Sequence, residues 1–69
     1  MKKQNQQKRL LRRPEVEKCT GLKRSSIYKM MSEGTFPQSV SLGRAVAWVD
    51  DEIQAWINER IHNRQAKAA

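Results

Sequence analysis

The sequence has very few of the residues from which catalytic and metal centres are built. Its 69 residues include one cysteine, Cys19, and one histidine, His62. A single cysteine cannot form an internal disulfide, and these two side chains alone do not make a zinc site. Asp50, Asp51 and Glu52 are expected to open a helix rather than to work as a catalytic pair. We therefore expect no enzyme, no cofactor, no metal and no small-molecule substrate, and we expect Cys19 to be a buried structural thiol.

Long hydrophobic runs are also missing. No apolar segment approaches the about 18 residues that a membrane span needs. The basic N-terminus has no apolar stretch of the kind that a secretory signal contains. We therefore expect a cytoplasmic, bacterial type of protein that has no membrane partner.

Acidic residues are scarce, because 14 lysines and arginines face 7 aspartates and glutamates, for a formal net charge of +7. The excess is greatest at the start, where residues 1–13 hold six basic residues and no acidic one. Such asymmetry indicates a polyanionic partner, and a solubilising tail is the alternative explanation. We expect a disordered basic tail over residues 1–8, a single folded domain over residues 9–64 and a frayed C-terminus over residues 65–69.

The first part of the predicted domain has the pattern of a helix-turn-helix. A first helix is expected over residues 14–20, with Val16 and Cys19 turned toward the core. Gly21 suits the left-handed conformation that ends helices, and Leu22 suits the gap between two crossing helices. A second helix is expected over residues 24–33. Its apolar side carries Ile27 and two methionines, and its opposite side is polar.

The second part changes its periodicity from helix to strand and back. Apolar and polar residues alternate on both sides of Gly43-Arg44, which predicts a β-hairpin with Arg44 near its tip. Asp50 is expected to be the N-cap of a last helix. The core stripe of that helix is expected to contain Ile53, Trp56, Ile57 and Ile61. Trp48 and Trp56 are interpreted as core residues. The predicted fold class is α+β, a small winged helix-turn-helix.

This fold predicts double-stranded DNA as the partner, with the second helix in the major groove and the hairpin on the adjacent minor groove or on phosphates. Lys23 is expected to contact phosphate rather than a base, and Arg24 is the foremost candidate for a groove or backbone contact. The candidate DNA-binding residues are Lys23, Arg24, Ser25, Ser26, Tyr28, Lys29 and Arg44. For each of them the alternative is a solvated surface side chain, and for Tyr28 a further alternative is that it covers the edge of the core with its hydroxyl in water.

Several short motifs, in order along the chain, resemble one known family. They are Leu10-Leu11-Arg12-Arg13, Val16, Thr20-Gly21-Leu22, Ser25-Ser26-Ile27-Tyr28, Glu33-Gly34-Thr35-Phe36-Pro37, the run from Val40 to Trp48, and Glu52-Ile53 with Trp56-Ile57. Over residues 10–61 the chain resembles the AlpA-like regulators of phages and prophages, which have a small winged helix of the MerR type related in shape to phage excisionases. The chain departs from the family at Lys23, where the family often has Ser or Thr.

The resemblance implies a DNA-binding protein of a mobile element, which either activates transcription of an integrase gene or directs prophage excision. Integrase, RNA polymerase and further copies of the chain on DNA, for example head to tail on direct repeats, are then candidate partners. The alternative is a protein-interaction module that docks on an integrase, RNA polymerase or another partner and binds DNA only incidentally. RNA binding is a weaker alternative, because the fold offers no exposed aromatic pair on a sheet.

Overall fold

A computed structural model describes residues 8–68, with side chains described as far as residue 64. The elements are β1 (Leu10–Arg12), α1 (Arg13–Thr20), α2 (Arg24–Glu33), β2 (Val40–Leu42), β3 (Ala45–Val49) and α3 (Asp50–Ala68). Two helices joined by a short turn and followed by a hairpin and a third helix form the predicted α+β winged helix-turn-helix. Residues 1–7 of the predicted basic tail and residue 69 of the predicted frayed end lie outside the described residues.

The helix-turn-helix is built by local hydrogen bonding. At the end of α1, Gly21 has a φ of 77° and donates its N–H to the carbonyl of Glu17 at 2.7 Å. A side chain there would be strained, because L-residues rarely adopt a positive φ. Leu22 follows in the turn and packs against the core, as predicted. Helix α2 then spans the predicted residues and ends at Gly34, whose N–H donates to the carbonyl of Met31 at 3.1 Å.

The three strands form one antiparallel sheet in the order β1-β3-β2. Leu42 of β2 pairs with Ala45 of β3, so Gly43 and Arg44 are the two residues of the hairpin turn. Gly43 has a φ of 82°, which suits the first position of a type II′ turn. On the other side, β1 pairs with β3, and the Asp50 N–H extends this ladder by donating to the carbonyl of Arg9 at 2.8 Å.

The core lies between the inner face of the sheet and the helices. Its buried members are Leu11, Val16, Ile27, Phe36, Trp48 and Ile53. Trp48 is 0% exposed, as its position in the strand pattern predicts, and its indole N–H donates to the carbonyl of Pro37 at 3.1 Å. Trp56 packs against this core at the edge, and its N–H donates to the carbonyl of Thr35 at 2.8 Å. Both indoles therefore anchor the loop between α2 and β2.

Three sequence-based expectations about side chains are wrong. Cys19 is exposed, because the inward side of α1 runs through Val16 and the half-buried Thr20 rather than through Val16 and Cys19. Ile61 is 48% exposed, since it lies further along α3 than the residues of this helix that pack in or against the core. Asp50 was expected to precede the last helix as its N-cap, but α3 already begins at Asp50.

Candidate nucleic-acid interface

The N-terminus of α2 is an uncapped helix end. Lys23 is extended at the N-cap position, with φ −94° and ψ 168°, and makes no capping hydrogen bond through its side chain. The first helical hydrogen bond runs from the N–H of Ile27 to the carbonyl of Lys23 at 3.0 Å. The N–H groups of Arg24, Ser25 and Ser26 therefore have no partner within the helix. Together they carry the positive end of the helix dipole, which attracts anions.

The charge around this helix end distinguishes α2 from the other two helices. The first turn of α1 contains Glu15, and that of α3 contains Asp50, Asp51 and Glu52. The first turn of α2 contains no acidic residue. Acidic side chains in a first turn neutralise the dipole of their own helix, so at α2 the full positive potential is available to an outside anion.

Side-chain exposure divides α2 into a core side and an outer side. Ile27 is 0% exposed, and the two methionines of the helix pack beside it against the core. On the outer side Arg24, Ser25 and Lys29 are exposed, whereas Ser26 is half-buried. The helix is thus held by its apolar side and presents two cations and a hydroxyl to the surroundings.

Tyr28 links this outer side to the core. Its ring meets the buried Trp48 in a T-shaped arrangement, with centroids 6.3 Å apart. The Arg24 guanidinium carbon lies 5.7 Å from the centre of the Tyr28 ring. The buried Trp48 therefore supports the ring of Tyr28. Tyr28 in turn contacts Arg24 at the start of α2. Sequence analysis identified Trp48 as a core residue but missed this support, because the contact joins α2 to β3 across the fold.

Arg44 lies apart from the α2 cluster, exposed in the hairpin turn between β2 and β3. The strand β3 connects the two regions, because its Trp48 touches Tyr28 of α2. Arg44 precedes Trp48 by four residues, so it lies about 13 Å further along the strand at about 3.3 Å per residue. The structure thus brings the α2 residues together on one element and places Arg44 on a neighbouring projection.

The cations of this surface have no acidic partner within the described residues. Two ion pairs occur there, Lys8–Asp51 at 3.0 Å and Arg13–Glu17 at 3.1 Å. Neither pair includes a candidate cation of α2 or of the hairpin turn. Unpaired cations beside an uncapped helix end are features that favour the binding of phosphate groups.

Residues 8–68 offer neither a metal centre nor a membrane span. No group of three or more His, Cys, Asp or Glu side chains there could hold a metal ion. Within the same range no helix is both long and apolar enough to cross a membrane.

The fold and this surface together define a small winged helix-turn-helix protein whose second helix begins with basic residues. Over residues 9–61 the chain matches the family described as Prophage CP4-57 regulatory protein (AlpA). The chain belongs to this AlpA family, as the motifs along its sequence indicate.

Two relatives in this family span most of the chain. The uncharacterized protein ORF88 of Enterobacteria phage P4 is 48% identical over 60 residues, which cover 86% of this chain and 68% of the phage protein. The DNA-binding transcriptional activator AlpA of Escherichia coli (strain K12) is 36% identical over 59 residues, which cover 75% of this chain and 84% of that protein.

Proposed function

We propose that the chain is a sequence-specific, double-stranded DNA-binding regulator of a phage or an integrated mobile element. Helix α2 enters the major groove with its N-terminal end, and the hairpin turn contacts the adjacent minor groove or its phosphates. The observation that carries this proposal is the uncapped, acid-free start of α2 beside cations that have no acidic partner among the side chains described for residues 8–64. The E. coli relative AlpA, a DNA-binding transcriptional activator by name, supports the same conclusion.

Each candidate residue takes a role that fits its position. Arg24 contacts a base edge or the backbone while the Tyr28 ring steadies its guanidinium. Lys23 contacts phosphate, and the half-buried Ser26 contributes mainly its backbone N–H. The remaining proposed contacts are Ser25, Lys29 and Arg44, all exposed.

Substitution of single arginines tests the proposal. Arg24→Ala is expected to weaken binding to a selected duplex by about 1–3 kcal/mol while leaving binding to a scrambled duplex nearly unchanged, if Arg24 reads a base. Arg44→Ala is expected to weaken both duplexes similarly and to lower the salt dependence of binding, if Arg44 contacts phosphate. Arg64→Ala is the matched control, because it removes the same charge from an exposed position on α3.

The measurement is fluorescence anisotropy of the labelled duplexes at several salt concentrations. Equal losses in all three variants would mean that net charge alone drives binding, and would refute a recognition surface on α2. If the Arg24 and Arg44 variants lost DNA affinity but kept their biological output, the chain would instead be a protein-interaction module that docks on an integrase, RNA polymerase or another partner.

The biological step that the protein controls is either transcription of an integrase gene or excision of the element. In both cases it acts on bacterial DNA in the cytoplasm, with RNA polymerase or integrase as the next partner. Genome-wide DNA pull-down with the purified chain, followed by footprinting, separates the two. Enrichment at a promoter upstream of an integrase gene identifies an activator, whereas enrichment at attachment-site repeats identifies an excision factor.

A further inference from the structure

The sheet has a second apolar face, which points away from the core. Directly opposed residues of antiparallel strands share a face, so the pairs Leu10–Val49, Val40–Ala47 and Leu42–Ala45 lie on one side. The core residues Leu11 and Trp48 lie on the other side. We call the first side the outer sheet face. Its apolar members are the exposed Leu10, Val40 and Leu42, the half-buried Ala45 and Val49, and Ala47, which is 0% exposed.

This composition is unusual for a face that is open to solvent. Antiparallel strands with one solvated face normally alternate apolar and polar residues. Here Arg12 is the one charged residue on the outer sheet face, at its β1 edge. Leu10, Val40 and Leu42 are 44%, 38% and 45% exposed. Three exposed apolar side chains on one small sheet face make this face a candidate interaction surface.

The outer sheet face continues toward α3. Val40 and Val49 also line an open groove of about 900 Å³, together with Ala55 and Trp56 of α3. The groove begins at Gly34, the C-terminal end of α2. The proposed DNA contacts of α2 are at its N-terminal end, about 15 Å away at about 1.5 Å per residue. A partner on the outer sheet face therefore leaves the recognition end of α2 free.

A second copy of the chain has a matching surface. Within the described residues, five large hydrophobic side chains are exposed, and three of them lie on the outer sheet face. Of the other two, Tyr28 is engaged with Arg24 and Trp48, and Ile61 stands alone on α3. Among the described surfaces of this chain, the one that best complements the outer sheet face is therefore the same face of another copy, and such a contact is twofold.

The area of the outer sheet face and the net charge of the chain indicate under which conditions two copies associate. Three strands of up to five residues make a face of about 240 Å², at about 3.3 Å per residue and about 4.8 Å between strands. A stable interface buries about 800 Å² per partner. In addition, a net charge of +7 on each copy opposes association. On DNA the phosphates offset this charge, and neighbouring sites hold two copies at a high effective concentration.

We propose that the outer sheet face joins two copies of the chain in a twofold contact when they occupy adjacent DNA sites. The proposal rests on the DNA-binding function proposed above. A twofold contact pairs recognition helices across a symmetry axis, so it requires half-sites in inverted orientation rather than the direct repeats of a head-to-tail row.

The test compares the wild-type chain with the double variant Leu10→Gln/Leu42→Gln and with the control Ile61→Gln. All three substitutions replace exposed leucine or isoleucine by an uncharged residue, so they leave the net charge and the buried core unchanged. The first measurement is sedimentation velocity without DNA, at millimolar protein and about 1 M NaCl, where the Debye length is about 3 Å and repulsion is screened. The wild type and Ile61→Gln are expected to associate, and the double variant is expected to stay monomeric.

The second measurement is a mobility shift on a duplex with two footprinted half-sites in inverted orientation. In the double variant, binding of the second copy is expected to weaken by about tenfold or more, while binding of the first copy is unchanged. The proposal is overturned if the wild type stays monomeric in high salt and its two copies bind the duplex independently, or if association is lost in Ile61→Gln instead. It is also overturned if the double variant behaves as the wild type does in both measurements and differs from it only in losing its binding to another protein. If no duplex is bound specifically but the first measurement gives the expected pattern, the proposed function fails and the self-association surface stands.

Discussion

Replacing Lys23 by serine or aspartate is expected to raise the stability of the domain while lowering its affinity for DNA. Lys23 has the extended backbone of an N-cap residue, but its side chain cannot accept a hydrogen bond from the helix. Serine or aspartate at this position can accept one from the free N–H groups of the first turn. Those same N–H groups are proposed to face phosphate, so a side-chain cap competes with DNA for them.

The expected magnitudes follow from the missing cap. Lys23→Ser is expected to increase the free energy of unfolding by about 1 kcal/mol, which raises the Tm of a domain this small by about 4–8 °C. Lys23→Asp adds a favourable interaction with the helix dipole of about 0.3–1 kcal/mol. Lys23→Ala adds no cap and is expected to leave stability close to that of the wild type. DNA affinity is expected to fall from Lys to Ala and Ser, and furthest with Asp, whose carboxylate repels phosphate.

Thermal unfolding by circular dichroism gives the stability order, and anisotropy with one labelled duplex gives the affinity order. Removal of a single phosphate contact in Lys23→Ala is expected to lower the slope of log affinity against log salt by about 1. The reasoning is refuted if Lys23→Ser has the Tm of the wild type, because the N-cap geometry would then be absent in solution. It is equally refuted if Lys23→Asp binds DNA as tightly as the wild type, since the start of α2 would then lie away from the DNA.

Two further predictions concern the fold. In α3, Ile53→Ala is expected to cost about 2–5 kcal/mol because its side chain is fully buried, the half-buried Ile57 about half as much, and the exposed Ile61 less than about 0.5 kcal/mol. Urea denaturation measures these values, and equal losses at all three positions would contradict the described packing of α3. Gly21→Ala is expected to cost about 1–2 kcal/mol from backbone strain alone, because φ is +77° and the added Cβ meets nothing within 4 Å. An unchanged urea midpoint for this variant would mean that the turn after α1 has another conformation.

Some features of this chain could be predicted from the sequence because short-range interactions decide them. The bounds of α2 follow from Gly21 and Gly34, which end helices through their own backbone conformation. The hairpin turn follows from Gly43-Arg44 between two alternating runs. Helical periodicity likewise separates Ile27 from the polar side of α2, where most of the candidate DNA-binding residues lie.

Other features required the packing of distant segments. Cys19 and Ile61 fit apolar stripes on their own helices, but burial depends on how far the rest of the molecule extends along each helix. The support of Tyr28 by Trp48 depends on a contact between α2 and β3, which no local pattern encodes.

The outer sheet face shows most clearly which features the sequence determined and which the tertiary structure decided. The sequence alone established that both alternating sets of residues in β3 are apolar, because Ala45, Ala47 and Val49 alternate with Val46 and Trp48. It also predicted Trp48 as a core residue, but it could not establish which residues of β1 and β2 extend the other set into a patch. Register and helix placement decided that, because strand pairing and packing join residues that are up to about 40 positions apart in the chain.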